Sequence, residues 1–145
     1  MRVYFDTSVL VAALVREHPR HERAFARLLR ARSGGDRLLT SGHTLAELFA
    51  VLTTLPVSPR IAPAAAGRLV RESVEAHADV VALSVADYRE TVRRLADLGF
   101  CGGIIYDALA CQAATRARAD LLLTFNLKDF RRVCPEGGLR IEEPC

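Results

Sequence analysis

No apolar run in this chain is long enough to cross a bilayer. Its longest, such as Val9 to Val15 and Leu48 to Leu52, fall far short of the roughly 20 residues that a spanning helix needs, so no membrane segment is expected. The opening Met1-Arg2-Val3-Tyr4-Phe5-Asp6 meets an acid before any apolar core can build up, which argues against a signal peptide and for a cytoplasmic protein. The four cysteines (Cys101, Cys111, Cys134, Cys145) include no C-x-x-C pair and no histidine at zinc-finger spacing. They read as free thiols in a reducing compartment, with Cys101 a small packed side chain. No G-x-G-x-x-G or Walker lysine motif follows any strand-like segment, which disfavours a nucleotide-binding module. Lysine is nearly absent, Lys128 being the only one in a chain of net charge +3. The arginine that replaces it has a planar fork suited to phosphate, so a nucleic-acid partner is allowed. Coding bias explains an arginine-rich, alanine-rich chain equally well.

What is present is ordinary for a globular protein. The chain has 145 residues, 50% hydrophobic and 26% charged, enough to bury a continuous core as one domain over residues 1–145. Arg2 to Phe5 reads as a strand and Thr7 to Val15 as an apolar helix. Pro19 starts a second helix that Ser33-Gly34-Gly35 stops, and Arg37 to Thr40 is a second strand. Ser41 or Thr44 caps a helix reaching Leu55. After a proline-marked connection come a helix over 64–76, a strand near Val80 to Leu83, and a helix opened by Ser84 and closed at Gly99. A glycine loop, a helix from Ile105 to Ala119, a strand from Leu121 to Thr124 and a last strand from Leu139 to Ile141 complete the chain. Strands alternating with helices predict an α/β fold with a mostly parallel central sheet covered on both faces.

In open α/β sheets, ligands bind outside the carboxyl ends of the strands. Asp6 follows the first strand directly, and Asn126 and Asp129 follow the strand ending at Thr124. Glu47 and Asp107 lie in first helical turns. Each acid has a structural explanation, since acids there offset the helix dipole, and Thr44-x-x-Glu47 fits a capping box. Two features favour a site instead. Glu47 is the only charged residue between Thr44 and Leu55, and burying an unpaired carboxylate is costly. Asp107 follows two glycines and has no basic neighbour. Hard divalent cations such as Mg²⁺ take oxygen ligands from a few carboxylates, with water and substrate phosphate supplying the rest.

Together, Asp6-Thr7-Ser8, the lone Glu47, Tyr106-Asp107-Ala108 and Leu123-Thr124-Phe125-Asn126-Leu127-Lys128-Asp129-Phe130 resemble a PIN-domain ribonuclease over essentially the whole chain. In size and motif order the resemblance is to the VapC-type toxins. It implies a PIN-like three-layer fold and a Mg²⁺- or Mn²⁺-dependent endoribonuclease. It also implies a homodimer held in check by a cognate antitoxin, with Asp6, Glu47 and Asp107 as catalytic metal ligands. Ser8, Thr7 and Thr124 match supporting hydroxyl positions. Asn126 stands where many members carry a fourth acid, which is expected to weaken a second metal site. Asp129 either compensates or partners an Asn126 helix cap.

Arg116 and Arg118, and Arg131 with Arg132, are candidates for steering RNA phosphates. His43 and His77 are not needed as bases beside a metal-bound water, and Tyr4, Phe5 and Phe49 read as core. Strand and helix patterning alone also fits an aspartyl phosphotransferase of the haloacid dehalogenase type, but Ser8 stands where that class has its second Asp. A PIN-like module that only binds RNA or protein is the remaining alternative, favoured by the amide at Asn126 and opposed by the three acids.

Overall fold

A computed structural model describes residues 1–134 and 137–145. Five strands form its sheet: β1 (Arg2–Phe5), β2 (Arg37–Ser41), β3 (Ala78–Val81), β4 (Leu121–Leu123) and β5 (Arg140–Glu142), in the order β3-β2-β1-β4-β5. Every described strand pair is parallel, as the strand-helix alternation requires. The sheet order runs one way from β1 to β2 and the other way from β1 to β4. A crevice is therefore expected at the carboxyl ends of these central strands.

The helices are α1 (Thr7–Leu14), α2 (His21–Arg32), α3 (Gly42–Thr54), α4 (Pro63–Arg68), α5 (Val85–Leu98), α6 (Ile104–Arg116) and α7 (Leu127–Val133). Side-chain alternation along the strands divides the core into two layers. Val3, Phe5, Leu38, Leu121 and Leu123 pack on one side with residues of α1 to α4. Tyr4, Leu39 and Leu122 pack on the other with Ala110, Ala113 and Phe130 of α6 and α7. Both faces of the sheet are thus covered, and the strands are near-continuous apolar runs for that reason.

Local signals set most boundaries. Ser84 and Asp87 form a reciprocal capping box at the start of α5, and Gly99 ends it in the left-handed region at φ 76°, where glycine pays no Cβ penalty. Other boundaries differ from expectation. The segment read as one helix over 64–76 is α4 followed by a π-helical turn, Leu69–Val74, and a 3₁₀ turn, Glu75–His77. Thr44 does not cap α3. The Ser41 hydroxyl accepts from Thr44 N at 3.0 Å, and the Thr44 hydroxyl lies 2.9 Å from the buried Tyr4 hydroxyl. Phe49 is 40% exposed rather than core, because α3 is apolar on more faces than the sheet can cover.

The cysteines also differ from four free thiols. Cys111 on α6 and Cys134 at the end of α7 are joined in a disulfide with Cα atoms 5.5 Å apart, since these two helices pack on each other. Cys101 and Cys145 are free, and Cys101 is exposed rather than packed. No described helix is long and apolar enough to cross a membrane.

Candidate active site

Asp6 caps α1 directly after β1, a position fixed by its backbone N–H donating to Leu123 O of β4 at 3.0 Å. Its carboxylate is buried among hydroxyls. Ser8 Oγ donates to Asp6 Oδ2 at 2.8 Å, and Thr124 Oγ1 donates to the same oxygen at 2.9 Å. Those hydroxyls are held in turn. Ser8 Oγ accepts from Phe125 N at 3.0 Å, and Thr124 Oγ1 accepts from Asn126 N at 2.9 Å. Two segments more than a hundred residues apart are thereby locked around one carboxylate. Even so, burial raises the Asp6 carboxyl above the ordinary range, against the lowering effect of these bonds. Burial is the dominant influence on this acid.

Asp6, Glu47 and Asp107 line one cleft of about 400 Å³, together with Thr7, Ser8 and Asn126. Glu47 reaches it from the second turn of α3, one turn later than its sequence position suggests because the helix begins at Gly42, and Asp107 from the first turn of α6. Burial first, and then the Asp6 charge, raise Glu47. Burial, then the charges of Asp6, Asp129 and Glu47, push Asp107 up to about 7. No Lys or Arg forms an ion pair with any of these three acids among the described residues. Glu47 has only His43 Nε2 at 3.5 Å, a contact too poorly aligned to satisfy that nitrogen, and His43 stacks on Tyr106 with centroids 5.1 Å apart.

Asn126 occupies the N-cap position of α7, where its carbonyl accepts from Phe130 N at 3.1 Å, but its side chain makes no capping bond to the helix backbone. Its Nδ2 donates to Asp107 Oδ2 at 3.0 Å and to Asp129 Oδ2 at 3.2 Å, so the amide separates two carboxylates that would otherwise repel. Asp129 also faces Arg132 at 3.5 Å. Thr7 lines the cleft with a buried hydroxyl that makes no well-aligned hydrogen bond, although it lies near enough to Glu47 to lower that carboxyl slightly against burial.

A hard divalent cation fits this donor set. The available atoms are carboxylate, hydroxyl and amide oxygens, the acids lack counter-charge, and the Thr7 hydroxyl makes no well-aligned hydrogen bond. Among the described residues no three acidic, histidine or cysteine side chains stand close enough to enclose an ion by themselves. Such an ion would take a few protein ligands and complete its shell with water and phosphate oxygens, which is how Mg²⁺ is commonly bound.

Arg116 and Arg118 are not brought to this cleft. Arg116 ends α6, roughly 13 Å along the helix from Asp107, and its guanidinium pairs with Asp87 at 3.2 Å. Arg118 follows it, near the Ala117 carbonyl that accepts from the Arg2 guanidinium at the start of β1. Three residues that sequence reasoning passed over do line the cleft: His18, Arg20 and Phe125. Phe125 sits inside the Thr124-to-Phe130 motif. Nothing in the pattern around Arg20 marks it, because its place depends on the turn between α1 and α2.

A three-layer α/β fold, with an acid-lined cleft at the carboxyl edge of a parallel sheet where the strand order reverses, defines the class of protein. Within that class the chain belongs to the PIN domain family, whose model matches residues 3–135. It is similar to two curated relatives from Mycobacterium tuberculosis. Ribonuclease VapC27 is 38% identical over 116 residues, which span 80% of this chain and 79% of the relative. Ribonuclease VapC40 is 36% identical over 137 residues, 94% of this chain and 93% of the relative. Two solved structures share the fold at low identity. The sarcin-ricin loop cleaving toxin VapC20 of M. tuberculosis superposes with a TM-score of 0.70 and 18% identity, covering 93% of this chain and 98% of that one. A chain of VapBC2 from Rickettsia felis, bound to a DNA fragment from its promoter, has a TM-score of 0.66 and 22% identity, covering 99% and 98%.

Proposed function

We propose that this PIN-domain protein is an endoribonuclease of the VapC kind, the toxin of a toxin-antitoxin pair, with its active site at the cleft of Asp6, Glu47 and Asp107. The observation that carries the site is the gathering of three carboxylates, from the end of β1, α3 and α6, none of them ion-paired with a Lys or Arg among the described residues. The activity follows from family membership and from relatives named as ribonucleases over most of their length.

Asp6, Glu47 and Asp107 would hold Mg²⁺ or Mn²⁺. When bound, such an ion supplies an activated water and neutralises charge that develops on the phosphate. The protein's own part is to hold the ligands still. Ser8 and Thr124 fix Asp6 Oδ2, which orients the carboxylate without neutralising it. Thr7 offers a buried hydroxyl beside Glu47 at the cleft. Asn126 keeps Asp107 and Asp129 apart and contributes no charge of its own, consistent with a weaker second ion site. Asp129 acts through Asn126 on the position of Asp107. Arg116 and Arg118, remote from the acids, would serve at most as distant contacts for a long RNA. An antitoxin partner and a homodimer in the cytoplasm complete the reading by family.

A PIN-like module that only binds RNA or protein is favoured by one observation, the amide at position 126. The experiment that separates the two readings is incubation of a structured RNA pool with purified protein in Mg²⁺, Mn²⁺ or EDTA. Discrete fragments that require metal are expected. Intact RNA in every condition, with RNA binding preserved, would favour the binding module.

A further inference from the structure

Three acids facing one cleft pose a problem for a polyanionic substrate. A single bound ion offsets only part of their charge, and an RNA strand entering the cleft carries one negative charge per nucleotide. Counter-charge has to come from the protein near the site. Of the described residues that line the cleft, Arg20 is the only Arg or Lys.

Arg20 is also held in a particular way. Its guanidinium carbon lies 4.7 Å from the centroid of the Phe125 ring, and that of Arg23 lies 5.4 Å from the same ring. A guanidinium stacked by its face on an aromatic keeps its N–H donors, which point along its edge, available for an anion. Arg23 has a carboxylate within reach, Glu143 at 3.8 Å. Among the described residues the Arg20 guanidinium has neither an ion pair nor a hydrogen bond. The platform beneath it is anchored to the acids themselves, since Phe125 N donates to Ser8 Oγ, which donates to Asp6 Oδ2. On the backbone side, Arg20 N donates to His18 Nδ1 at 3.1 Å, and Ala24 N donates to Arg20 O at 3.2 Å as α2 begins.

We propose that Arg20, stacked on Phe125 at the rim of the acid cleft, is the residue that grips a backbone phosphate of the RNA strand beside the bond to be cut. Its planar fork takes two non-bridging phosphate oxygens, and the Phe125 ring fixes the fork at low conformational-entropy cost. Arg23 adds charge behind it. Arg20 is a substrate-positioning residue and holds no part of the metal set. The inference rests on the ribonuclease reading for its substrate, but its location stands on the stack and the cleft alone.

The test uses a short RNA that the wild type cuts, with KM and kcat measured for wild type, Arg20→Ala, Arg20→Lys, Phe125→Leu and the exposed control Arg71→Ala. Binding of a labelled single-stranded RNA is followed by anisotropy across a salt series. For Arg20→Ala we expect KM and the RNA dissociation constant to rise roughly 10- to 100-fold with kcat little changed. The slope of log affinity against log salt should fall by about 0.7, the loss of one phosphate contact on a single strand. Arg20→Lys restores part of the affinity, Phe125→Leu weakens binding by less than Arg20→Ala, and Arg71→Ala matches wild type.

Unchanged KM, affinity and salt slope in Arg20→Ala would overturn the inference while leaving the nuclease intact. Retained RNA affinity with lost binding of the cognate antitoxin would reassign the stack to the protein partner. Should the wild type cut no RNA at all, the ribonuclease reading falls, and the anisotropy series still decides whether Arg20 holds a phosphate.

Discussion

The two edges of the sheet treat the same side chain in opposite ways. At the amino edge, acids are paired. Asp36 is buried yet meets Arg30 at 2.9 Å, Arg27 at 3.6 Å and the Met1 amine at 3.4 Å. Arg37 beside Asp79 holds that carboxyl below its usual range, and Asp120 accepts from Arg2 N at 2.7 Å. At the carboxyl edge, Asp6, Glu47 and Asp107 have no Lys or Arg partner among the described residues; burial raises all three, and the charges of neighbouring acids raise Glu47 and Asp107 further. The amino-edge cavity is the larger, about 490 Å³ against about 400 Å³, so size does not mark the site. What marks it is charge left uncompensated, because a fold pays for such an arrangement only where a cation or substrate completes it.

The comparison can be broken most sharply by activity. Glu47→Gln and Asp107→Asn should each lower RNA cleavage at least about 100-fold with circular dichroism unchanged; wild-type rates in either would remove that residue from the site. At the other edge, Asp36→Asn should cost about 1–3 kcal/mol in a denaturant titration, because it strips charge from a buried ionic cluster.

A tenfold effect is expected from pH. Asp107, pushed up to about 7 in the fold, keeps a proton that the unfolded chain has already released. Its contribution therefore favours folding below the ordinary carboxylate range and is lost as pH rises through about 7. A divalent ion must displace that proton, so calorimetric affinity for Mn²⁺ should rise about tenfold from pH 6 to pH 8 and then level off. A flat profile would mean that Asp107 is not a ligand.

Smaller effects sharpen the role of the amide. Asn126→Asp places a third carboxylate between Asp107 and Asp129, so metal-free stability should drop by about 1 kcal/mol and be recovered on adding Mn²⁺. Asp129→Asn removes one acceptor of that amide and should change cleavage only a few-fold; a loss as large as that of Asp107→Asn would make Asp129 a ligand.

Much of this was legible in the sequence because it is local. The strand into Asp6, the Ser84-to-Gly99 helix and the parallel order follow from periodicity and caps, and the three acids stand out as charges within apolar segments. What the sequence hid depends on contacts between distant segments. Thr44 reads as a cap until Tyr4, forty residues earlier, draws its hydroxyl inward. Cys111 and Cys134 read as free until α6 and α7 pack. Arg116 reads as a free cation until Asp87 takes it, and Arg20 is unmarked until the α1-to-α2 turn lays it on Phe125. Asn126 reads as a site position from its motif, while its bridge between two acids needed coordinates.

The most direct test of the account sets Asp6→Asn beside Asp36→Asn in one RNA cleavage assay with saturating Mn²⁺, at a temperature where both are folded. Asp6→Asn should cut nothing while keeping wild-type stability or gaining some, and Asp36→Asn should cut at the wild-type rate despite its lower stability. Cleavage by Asp6→Asn, or its loss in folded Asp36→Asn, would contradict the assignment of function to the unpaired edge.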